Sequence, residues 1–243
     1  MPERSSTLES EWDLALTKQI YYGAIARTVI RNLQKRKMNG YYASGATEAL
    51  EMMLREIPDG AVVARGDSLS VDKVGVIEAL EARGNNKLID PMKKNEDGTP
   101  FYSKEECERL DGESFQADIF LTGTNAITLD GVLLCCDGMG NRVSPMIFGP
   151  RKVFVVCGMN KIAKDTQEGL QRIRQVAAPL NAIRHFEKHR RLHLGDLPCV
   201  TTGRCTDCRH DARICSYTVM IEGNDLSVKG RTNVFLVGEE LGL

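Results

Sequence analysis

Four cysteines near the C-terminal end of the chain have the spacing of a metal-binding segment. They follow one another as C-x5-C-x2-C-x6-C at Cys199, Cys205, Cys208 and Cys215. Two thiolates separated by two residues can ligate one metal, because a tight turn brings their sulfur atoms to about 4 Å. Four sulfur ligands suit a tetrahedral zinc ion or an iron–sulfur cluster of the 4Fe–4S type. The spacing matches neither the ferredoxin pattern nor a zinc ribbon. Three alternatives therefore remain: a zinc ion, an iron–sulfur cluster, or thiols that bind no metal.

A second group of polar residues lies in four turns rich in glycine, asparagine and aspartate. Two of these turns follow a predicted strand and precede a predicted helix, which is the edge where parallel sheets bind ligands. Glycine lets backbone N–H groups approach an anion, and the helix N-terminus adds partial positive charge. The alternative is that these are ordinary turn residues. The candidate ligand-binding residues are Gly66, Asp67, Ser68, Thr124, Asn125, Asp137, Asn141, Arg142, Asn160 and Lys161.

These turns match neither the dinucleotide-binding fingerprint nor the P-loop. Asp67 and Asp137 could position a substrate or a base, but no nucleophile, base and orienting residue form a recognisable set. The sequence therefore assigns no catalytic residue.

The remaining cysteines and the histidines have simpler interpretations. Cys135, Cys136 and Cys157 lie in predicted buried strands and are expected in the core. The histidines His185, His189 and His193 repeat at helical spacing within a strongly basic stretch. Their cationic neighbours disfavour a metal site, so we predict a solvated basic helix.

Composition limits the class of protein. The chain has 243 residues and a net charge of −1, from 32 basic and 33 acidic side chains, which gives no sign of nucleic-acid binding. No stretch approaches the roughly 20 apolar residues of a membrane helix. The N-terminus has no signal-peptide core, so we expect a cytoplasmic protein. In such a protein we expect cysteines to be free thiols, metal ligands or catalytic groups rather than disulfides.

The elements that must position these residues alternate between strand and helix. Apolar runs predict strands at 41–43, 61–64, 87–90, 117–122, 125–128, 132–136, 152–157, 216–222 and 233–238. Helices are predicted at 7–37, 47–56, 71–82, 103–112, 165–177 and 179–194. The alternation indicates a mainly parallel sheet, whereas Asp130-Gly131 predicts a hairpin. We expect one domain over 1–243, with a helical segment at 1–40 and a cysteine-rich loop at 195–220.

The turn motifs resemble those of the LUD-domain family, the lactate-utilisation proteins of bacteria. The resemblance rests on Gly66-Asp67-Ser68, Thr122–Thr128, Asp137–Val143, Phe148-Gly149-Pro150 and Gly158–Ile162. It implies a three-layer α/β/α fold similar to ribose-5-phosphate isomerases and coenzyme A transferases. Some members of the family similarly carry the Thr-Gly-x-Cys-x-Asp-Cys segment found here at 202–208. Better-known members belong to an iron–sulfur-containing system that oxidises lactate to pyruvate.

The resemblance favours iron–sulfur over zinc at the cysteines. We therefore expect an enzyme or subunit of lactate-type organic-acid redox metabolism, binding a small organic acid or its activated derivative and a redox partner protein. The alternative is a non-catalytic small-molecule-binding or assembly protein with a structural zinc. A sugar-phosphate isomerase or coenzyme A transferase is a third possibility. The absence of glutamate from the predicted strand-end turns counts against a transferase.

Overall fold

The computed structural model describes residues 6–189 and 192–243 and builds them around a six-stranded parallel sheet. The strands of the described residues are β1 (Asn39–Ala43), β2 (Val62–Arg65), β3 (Lys87–Ile89), β4 (Ile119–Gly123), β5 (Ala126–Thr128), β6 (Leu133–Asp137), β7 (Lys152–Gly158), β8 (Ile162–Ala163), β9 (Tyr217–Ile221) and β10 (Thr232–Val237). The large sheet has the order β1-β10-β7-β4-β2-β3, and every neighbouring pair in it is parallel. The carboxyl ends of its strands therefore meet at one edge.

The helices connect these strands and cover the large sheet. They are α1 (Ser6–Lys35), α2 (Ala46–Glu56), α3 (Leu69–Val74), α4 (Val76–Arg83), α5 (Lys104–Glu113), α6 (Val143–Ile147), α7 (Thr166–Arg172), α8 (Ala178–His189) and α9 (Pro198–Thr202). The first of them is one continuous helix, and it ends just before Lys37 adopts a left-handed conformation. None of the described helices is both long and apolar enough to cross a membrane.

Alternating side chains of the central strands enter two different cores. On β7, Val153 and Val155 join the core beneath α1, α5 and α6, while Phe154 and Val156 face α2, α3 and α4. Because successive side chains of a strand point to opposite faces, a continuous apolar run such as Val153–Val156 can fill both cores. The result is the three-layer α/β/α arrangement with a mainly parallel sheet, so the predicted fold class is confirmed.

A second, four-stranded sheet lies within the layer that contains α1. Its order is β8-β5-β6-β9, and β5 and β6 form the antiparallel hairpin expected from Asp130-Gly131. Gly131 has φ +87°, a left-handed conformation that glycine adopts without strain. The Arg36 side chain holds the hairpin by donating to the backbone oxygen and carboxylate of Asp130. The sequence predicted this hairpin but not its separation into a second sheet, because β9 joins it from far along the chain.

Two predicted segments extend beyond the described part of the chain. Residues 1–5 of the expected N-terminal helical segment lie outside it, as do Arg190 and Arg191 of the expected basic helix. Of the predicted helix at 179–194, the described residues up to His189 belong to α8, whereas Leu192–Leu194 form a short 3₁₀ helix.

Gly149 closes the tight turn before β7 and supplies a stability test. It has φ +108°, and a Cβ there would lie 2.6 Å from the Phe115 backbone oxygen. We expect Gly149→Ala to lower the free energy of unfolding by about 3 kcal/mol or more, since backbone strain and steric overlap act together. Gly60 has φ +79° with no atom within 4 Å of a built Cβ. Gly60→Ala should therefore cost only about 1–2 kcal/mol, and equal losses in urea titrations would contradict this account.

Candidate functional site

A cavity of about 210 Å³ lies at the carboxyl ends of β2, β4 and β7, between these strands, α8 and the segment after β6. Parallel strands end together here, so polar residues distant in sequence converge. Of the ten candidate ligand-binding residues, eight line the cavity: Asp67, Ser68, Thr124, Asn125, Asp137, Asn141, Arg142 and Lys161. Gly66 and Asn160 do not line it.

Gly66 and Asn160 have packing roles close to the cavity. A Cβ at Gly66 would lie 2.7 Å from Cγ of Arg142, so the glycine makes room for that side chain. The Asn160 Oδ1 accepts a hydrogen bond from the Leu241 backbone N–H at 3.1 Å, which ties the C-terminal segment to the end of β7. The structure therefore places Asn160 in contact with the chain itself and outside this cavity.

Arg142 joins the ends of three strands from the two sheets. One guanidinium nitrogen, Nη1, donates to the Gly123 carbonyl at 3.0 Å, at the end of β4. The other, Nη2, donates to Oδ1 of Asn125 at 3.0 Å, just before β5, and to the Cys136 carbonyl at 2.8 Å, on β6. All three acceptors are uncharged, so these bonds fix geometry without neutralising the guanidinium.

Asp137 and Asn141 are also committed to the protein scaffold. The Asp137 Oδ2 accepts the backbone N–H groups of Arg142 and Val143, each at 3.1 Å, and so satisfies donors at the start of α6. The Asn141 Nδ2 donates to the Asp111 carboxylate at 3.0 Å. Burial raises the pKa of that carboxyl, with the Asn141 bond opposing the rise. These residues shape the cavity wall, and their hydrogen-bonding groups are largely occupied.

Asn125 and Ser68 keep unused donors at the cavity. The Asn125 Oδ1 also accepts from the Cys136 backbone N–H at 2.8 Å, which leaves Nδ2 without a hydrogen bond to any described residue. The Ser68 Oγ accepts from the Val71 backbone N–H at 3.3 Å as the N-cap of α3, so its hydroxyl proton is available. In contrast, the Thr124 hydroxyl lies against two backbone carbonyls. A ligand would therefore meet an amide and a hydroxyl donor.

Lys161 is the most unusual charged group of the cavity. Its residue exposure is 5%, and its Nζ donates to Oγ of Ser70 at 2.9 Å. Within the described residues no carboxylate oxygen lies within 4.0 Å of this amine. Burial lowers the pKa of Lys161 to about 8. Cys157 opposes this shift, and the positive charges of Arg172 and Arg142 add to it.

Arg172 adds a third cation behind the cavity wall. It donates to the backbone oxygens of Asn160 at 2.9 Å and Asn125 at 2.6 Å, and burial lowers its pKa. In the part of the chain that the structure describes, none of Arg142, Lys161 and Arg172 has an ion pair with a carboxylate. Charges removed from water without a counterion are unfavourable, so this cluster, which we name the cationic cluster, favours an anion in the cavity.

Arg184 and His185 of α8 also line the cavity, although the sequence did not identify them as site residues. Arg184 forms an ion pair with Asp67 through both guanidinium nitrogens, and Nε2 of His185 lies 3.8 Å from Asp67 Oδ2. Burial alone would raise the pKa of Asp67, but the hydrogen bonds and charge of Arg184, with His185 and Arg65, hold it below the ordinary value. The carboxylate is therefore ionised at neutral pH.

The prediction of a solvated basic helix is wrong for these two residues. The side chains of Arg184 and His185 are only 15% and 13% exposed, because α8 packs over the strand ends. His193 is exposed in the 3₁₀ helix beyond α8. The side chain of His189 lies outside what the structure describes. In the sequence, the feature that could have indicated this packing is Asp67, because an acid at a strand end needs a cationic partner.

A second, smaller cavity of about 70 Å³ adjoins the first. It is lined by all four cysteines of the predicted metal-binding segment, together with Cys136. The Arg213 side chain donates to the Cys208 and Cys215 carbonyls at 3.0 and 2.8 Å and contacts Cys215 Sγ at 3.6 Å. The Asp207 backbone N–H donates to Cys205 Sγ at 3.4 Å. Such donors suit sulfur ligands that carry negative charge.

The four thiols are too far apart in this structure to coordinate one metal ion. Among the described residues, no three His, Cys, Asp or Glu side chains are close enough together to hold a metal ion. Four soft sulfur donors around one cavity nevertheless fit zinc or an iron–sulfur cluster by their chemistry. Cys205, on the exposed turn after α9, would have the most freedom to adjust.

Cys136 separates the two cavities. All three cysteines Cys135, Cys136 and Cys157 were expected in the core. The expectation is confirmed for Cys135 and Cys157, which are fully buried, and is wrong for Cys136, which is partly exposed. This residue and Ile214 line both cavities. Burial raises the pKa of the Cys136 thiol to about 11, and the nearby Cys215 contributes. The strand-end turns and the cysteine segment thus form two adjacent sites with a shared wall.

The parallel sheet, the cationic strand-end cavity and the adjoining thiol cavity define an α/β protein with two neighbouring cavities. A family model described as the LUD domain matches residues 26–237, so the chain belongs to the LUD-domain family. The predicted family is therefore confirmed. No curated protein sequence matches the chain.

Solved structures show remote similarity. A DUF162 family protein from Deinococcus radiodurans is 13% identical, with 89% of this chain and 97% of that chain covered and a TM-score of 0.48. The Pyrococcus horikoshii OT3 translation initiation factor eIF-2B is 18% identical over 50% and 48% of the two chains, with a TM-score of 0.34. A ribose 5-phosphate isomerase from Plasmodium falciparum is 12% identical over 47% and 50%, with a TM-score of 0.29.

The burial of Lys161 predicts a pH-dependent stability effect. A pKa near 8 in the folded chain, against about 10.4 in the unfolded chain, means that the charged amine destabilises the fold at neutral pH. We expect Lys161→Met to raise the free energy of unfolding by about 2 kcal/mol at neutral pH in ligand-free buffer.

The advantage of the Met variant should shrink between about pH 8 and pH 10.4. There the unfolded wild-type chain binds more protons than the folded one, so wild-type stability rises with pH. Urea titrations across this range measure the effect. Lys164 is exposed, and Lys164→Met should change stability by no more than about 0.5 kcal/mol. A Lys161→Met variant that is less stable at every pH would contradict the prediction.

Proposed function

We propose that this LUD-domain protein is an enzyme or subunit of lactate-type organic-acid redox metabolism. In this proposal the strand-end cavity binds a small organic acid or its activated derivative. Cys199, Cys205, Cys208 and Cys215 hold an iron–sulfur cluster in the neighbouring cavity. The proposal includes a cytoplasmic location, where thiols stay reduced.

The observation that carries the proposal is the cationic cluster of Arg142, Lys161 and Arg172. These groups have no ion pair to a carboxylate among the described residues. A bound carboxylate would supply the missing negative charge, and Nδ2 of Asn125 and the Ser68 hydroxyl would donate to its oxygens. The cavity of about 210 Å³ is smaller than the roughly 300–1,000 Å³ of drug-sized pockets, which supports a ligand of few atoms.

The thiol cavity supports the redox part of the proposal. An iron–sulfur cluster, when bound, would supply one-electron transfer. The Asp207 backbone N–H and the Arg213 guanidinium already donate to sulfur atoms, and such bonds tune a reduction potential. Oxidation of a 2-hydroxy acid to a 2-oxo acid releases two electrons. The proposal therefore includes a redox partner protein that exchanges electrons with this site.

A structural zinc in a non-catalytic binding or assembly protein is the second candidate. It is favoured by the small core beneath the cysteine segment, where Leu194 and Leu197 pack on Ala182 of α8. A segment with so few buried apolar side chains gains stability when a metal crosslinks it. Metal identity distinguishes the two candidates.

The metal prediction concerns protein purified without oxygen. We expect iron and acid-labile sulfide in wild-type protein, with broad visible absorption, and loss of both in the double variant Cys205→Ser/Cys208→Ser. Cys107→Ser is the matched control, since Cys107 contacts the Pro91 carbonyl away from the thiol cavity. Elemental analysis and sulfide assay measure the outcome. Full metal content in the double variant would refute the ligand assignment, and stoichiometric zinc without iron would favour the second candidate.

The ligand prediction uses a substitution that preserves the scaffold. Asn125→Asp keeps an oxygen for the Cys136 N–H and Arg142 donors but replaces the Nδ2 donor with a negative charge. We expect binding of lactate or pyruvate, measured by calorimetry, to weaken about tenfold or more, because a charge-assisted hydrogen bond is lost.

The control for this prediction is Asn85→Asp. Asn85 is exposed and outside the cavity, so the same change of charge there should leave affinity unaltered. Equal affinity of Asn125→Asp and wild type for both acids would place the ligand elsewhere.

A further inference from the structure

Lys161 belongs to the cationic cluster, and its surroundings are also those of a nucleophilic amine. We propose that Lys161 forms an imine with the ketone of a 2-oxo acid bound in the strand-end cavity. The choice of ligand rests on the proposed function, whereas the reactivity of the amine rests on its own contacts.

The contacts of Lys161 hold its amine in one orientation. The Ser70 hydroxyl donates to the Leu241 carbonyl at 3.3 Å, so its oxygen must accept from Lys161 Nζ at 2.9 Å. A Cβ at Gly242 would lie 3.1 Å from Nζ, which shows how closely the C-terminal segment covers the amine. With one N–H committed to Ser70, the lone pair of the neutral amine remains for a group in the cavity.

The charges around Lys161 favour the neutral amine. Burial is the main cause of its lowered pKa, and Arg142 before α6 and Arg172 on α7 also repel the positive charge, whereas the Cys157 thiol on β7 and the Cys135 thiol on β6 act in the opposite direction. Together with burial they give the pKa of about 8, at which an appreciable neutral fraction exists at physiological pH. Burial and neighbouring cations are the means by which lysine is activated for imine formation.

A division of roles follows from the geometry of the cavity. An arginine would bind a carboxylate equally well and would keep its charge when buried, so anion binding alone does not require lysine at this position. Arg142 and Nδ2 of Asn125 can attract the carboxylate of the ligand. The amine is then left for the adjacent ketone carbon, and a 2-oxo acid carries both groups on neighbouring carbons.

The proposed step needs no oxidant or reductant. The Lys161 nitrogen attacks the ketone carbon and forms a C–N bond, while the C=O π electrons move to oxygen. A proton passes from nitrogen to that oxygen, giving a carbinolamine. Loss of the hydroxyl together with the remaining N–H proton of the carbinolamine releases water and leaves a C=N bond. The carbonyl oxygen thus departs in the water molecule.

Reductive trapping of the full-length chain tests the proposal. The protein is incubated with pyruvate and sodium borohydride, and intact-mass measurement and peptide mapping follow. We expect one reduced adduct, on the peptide that contains Lys161. Its yield at limiting reaction time should rise about tenfold from roughly pH 7 to pH 9, because the neutral fraction of an amine with a pKa of about 8 rises by that factor.

Two variants sharpen the test. Lys161→Arg keeps the positive charge but has no reactive amine, so it should give no adduct at position 161. Lys164→Arg, at an exposed position three residues on, should label as wild type does. Mapping on wild-type protein decides the question even if Lys161→Arg fails to fold. No adduct, or labelling spread evenly over exposed lysines, would overturn the proposal.

Lactate separates this proposal from the proposed function, because it has the carboxylate but no ketone. If lactate raises the melting temperature and pyruvate is not trapped, the cavity binds organic acids and the imine proposal is wrong. If pyruvate is trapped at Lys161 while lactate gives no stabilisation, the imine stands and lactate-type metabolism loses its support. If lactate gives no stabilisation and pyruvate is not trapped at Lys161, both proposals are refuted.

Discussion

The hydrogen bonds of Arg142 are the interaction on which the strand-end cavity depends. A single guanidinium connects the end of β4, the start of β5 and the end of β6, and thereby connects the large parallel sheet to the small mixed one. Its acceptors are carbonyl and amide oxygens, so the geometry is fixed while the charge is left uncompensated. This one side chain therefore produces both the shape of the cavity and much of its positive potential.

The positive potential accounts for the behaviour of the other cavity residues. Lys161 and Arg172 share the surroundings of Arg142, and each is held by uncharged oxygen acceptors. Asp67 and Asp137, which also line the cavity, have other partners: Asp67 is ion-paired with Arg184 of α8, and the Asp137 carboxylate accepts backbone N–H groups at the start of α6. The two charge systems are thus separated, with an ion pair under α8 and an excess of cations at the ends of β6 and β7.

The sequence was informative where local pattern decides structure. Val153–Val156 could be recognised as a buried strand and Asp130-Gly131 as a hairpin turn, because both depend on neighbouring residues. Residue type also located polar groups such as Asp67 and Asn125 at strand ends. It could not reveal that Asn125 bonds the scaffold through its oxygen while its nitrogen has no partner among the described residues, since the partners of the oxygen come from β6 and Arg142.

Longer-range pairing was beyond sequence reasoning. Arg184 and Asp67 are 117 residues apart, and nothing local to α8 distinguishes a helix that covers a cavity from one that faces water. Cys136 shows the same limit on a smaller scale. Its neighbour Cys135 enters the core, but the alternation of a strand sends Cys136 to the opposite face, where the identity of the covering segment decides its surroundings.

The two cavities share a wall that contains Cys136 and Ile214. Cys136 donates its backbone N–H to Asn125 and offers its carbonyl to Arg142, so the residues that frame the anion cavity also fix the strand that borders the thiols. On the other side, Cys136 lies near Cys215 and lines the thiol cavity together with Ile214. The hydrogen bonds of Arg142 and Asn125 therefore involve a residue of β6 that also lines the thiol cavity. If the proposed ligands bind, an organic acid in one cavity and the sulfur ligands in the other would be linked through this one residue of β6.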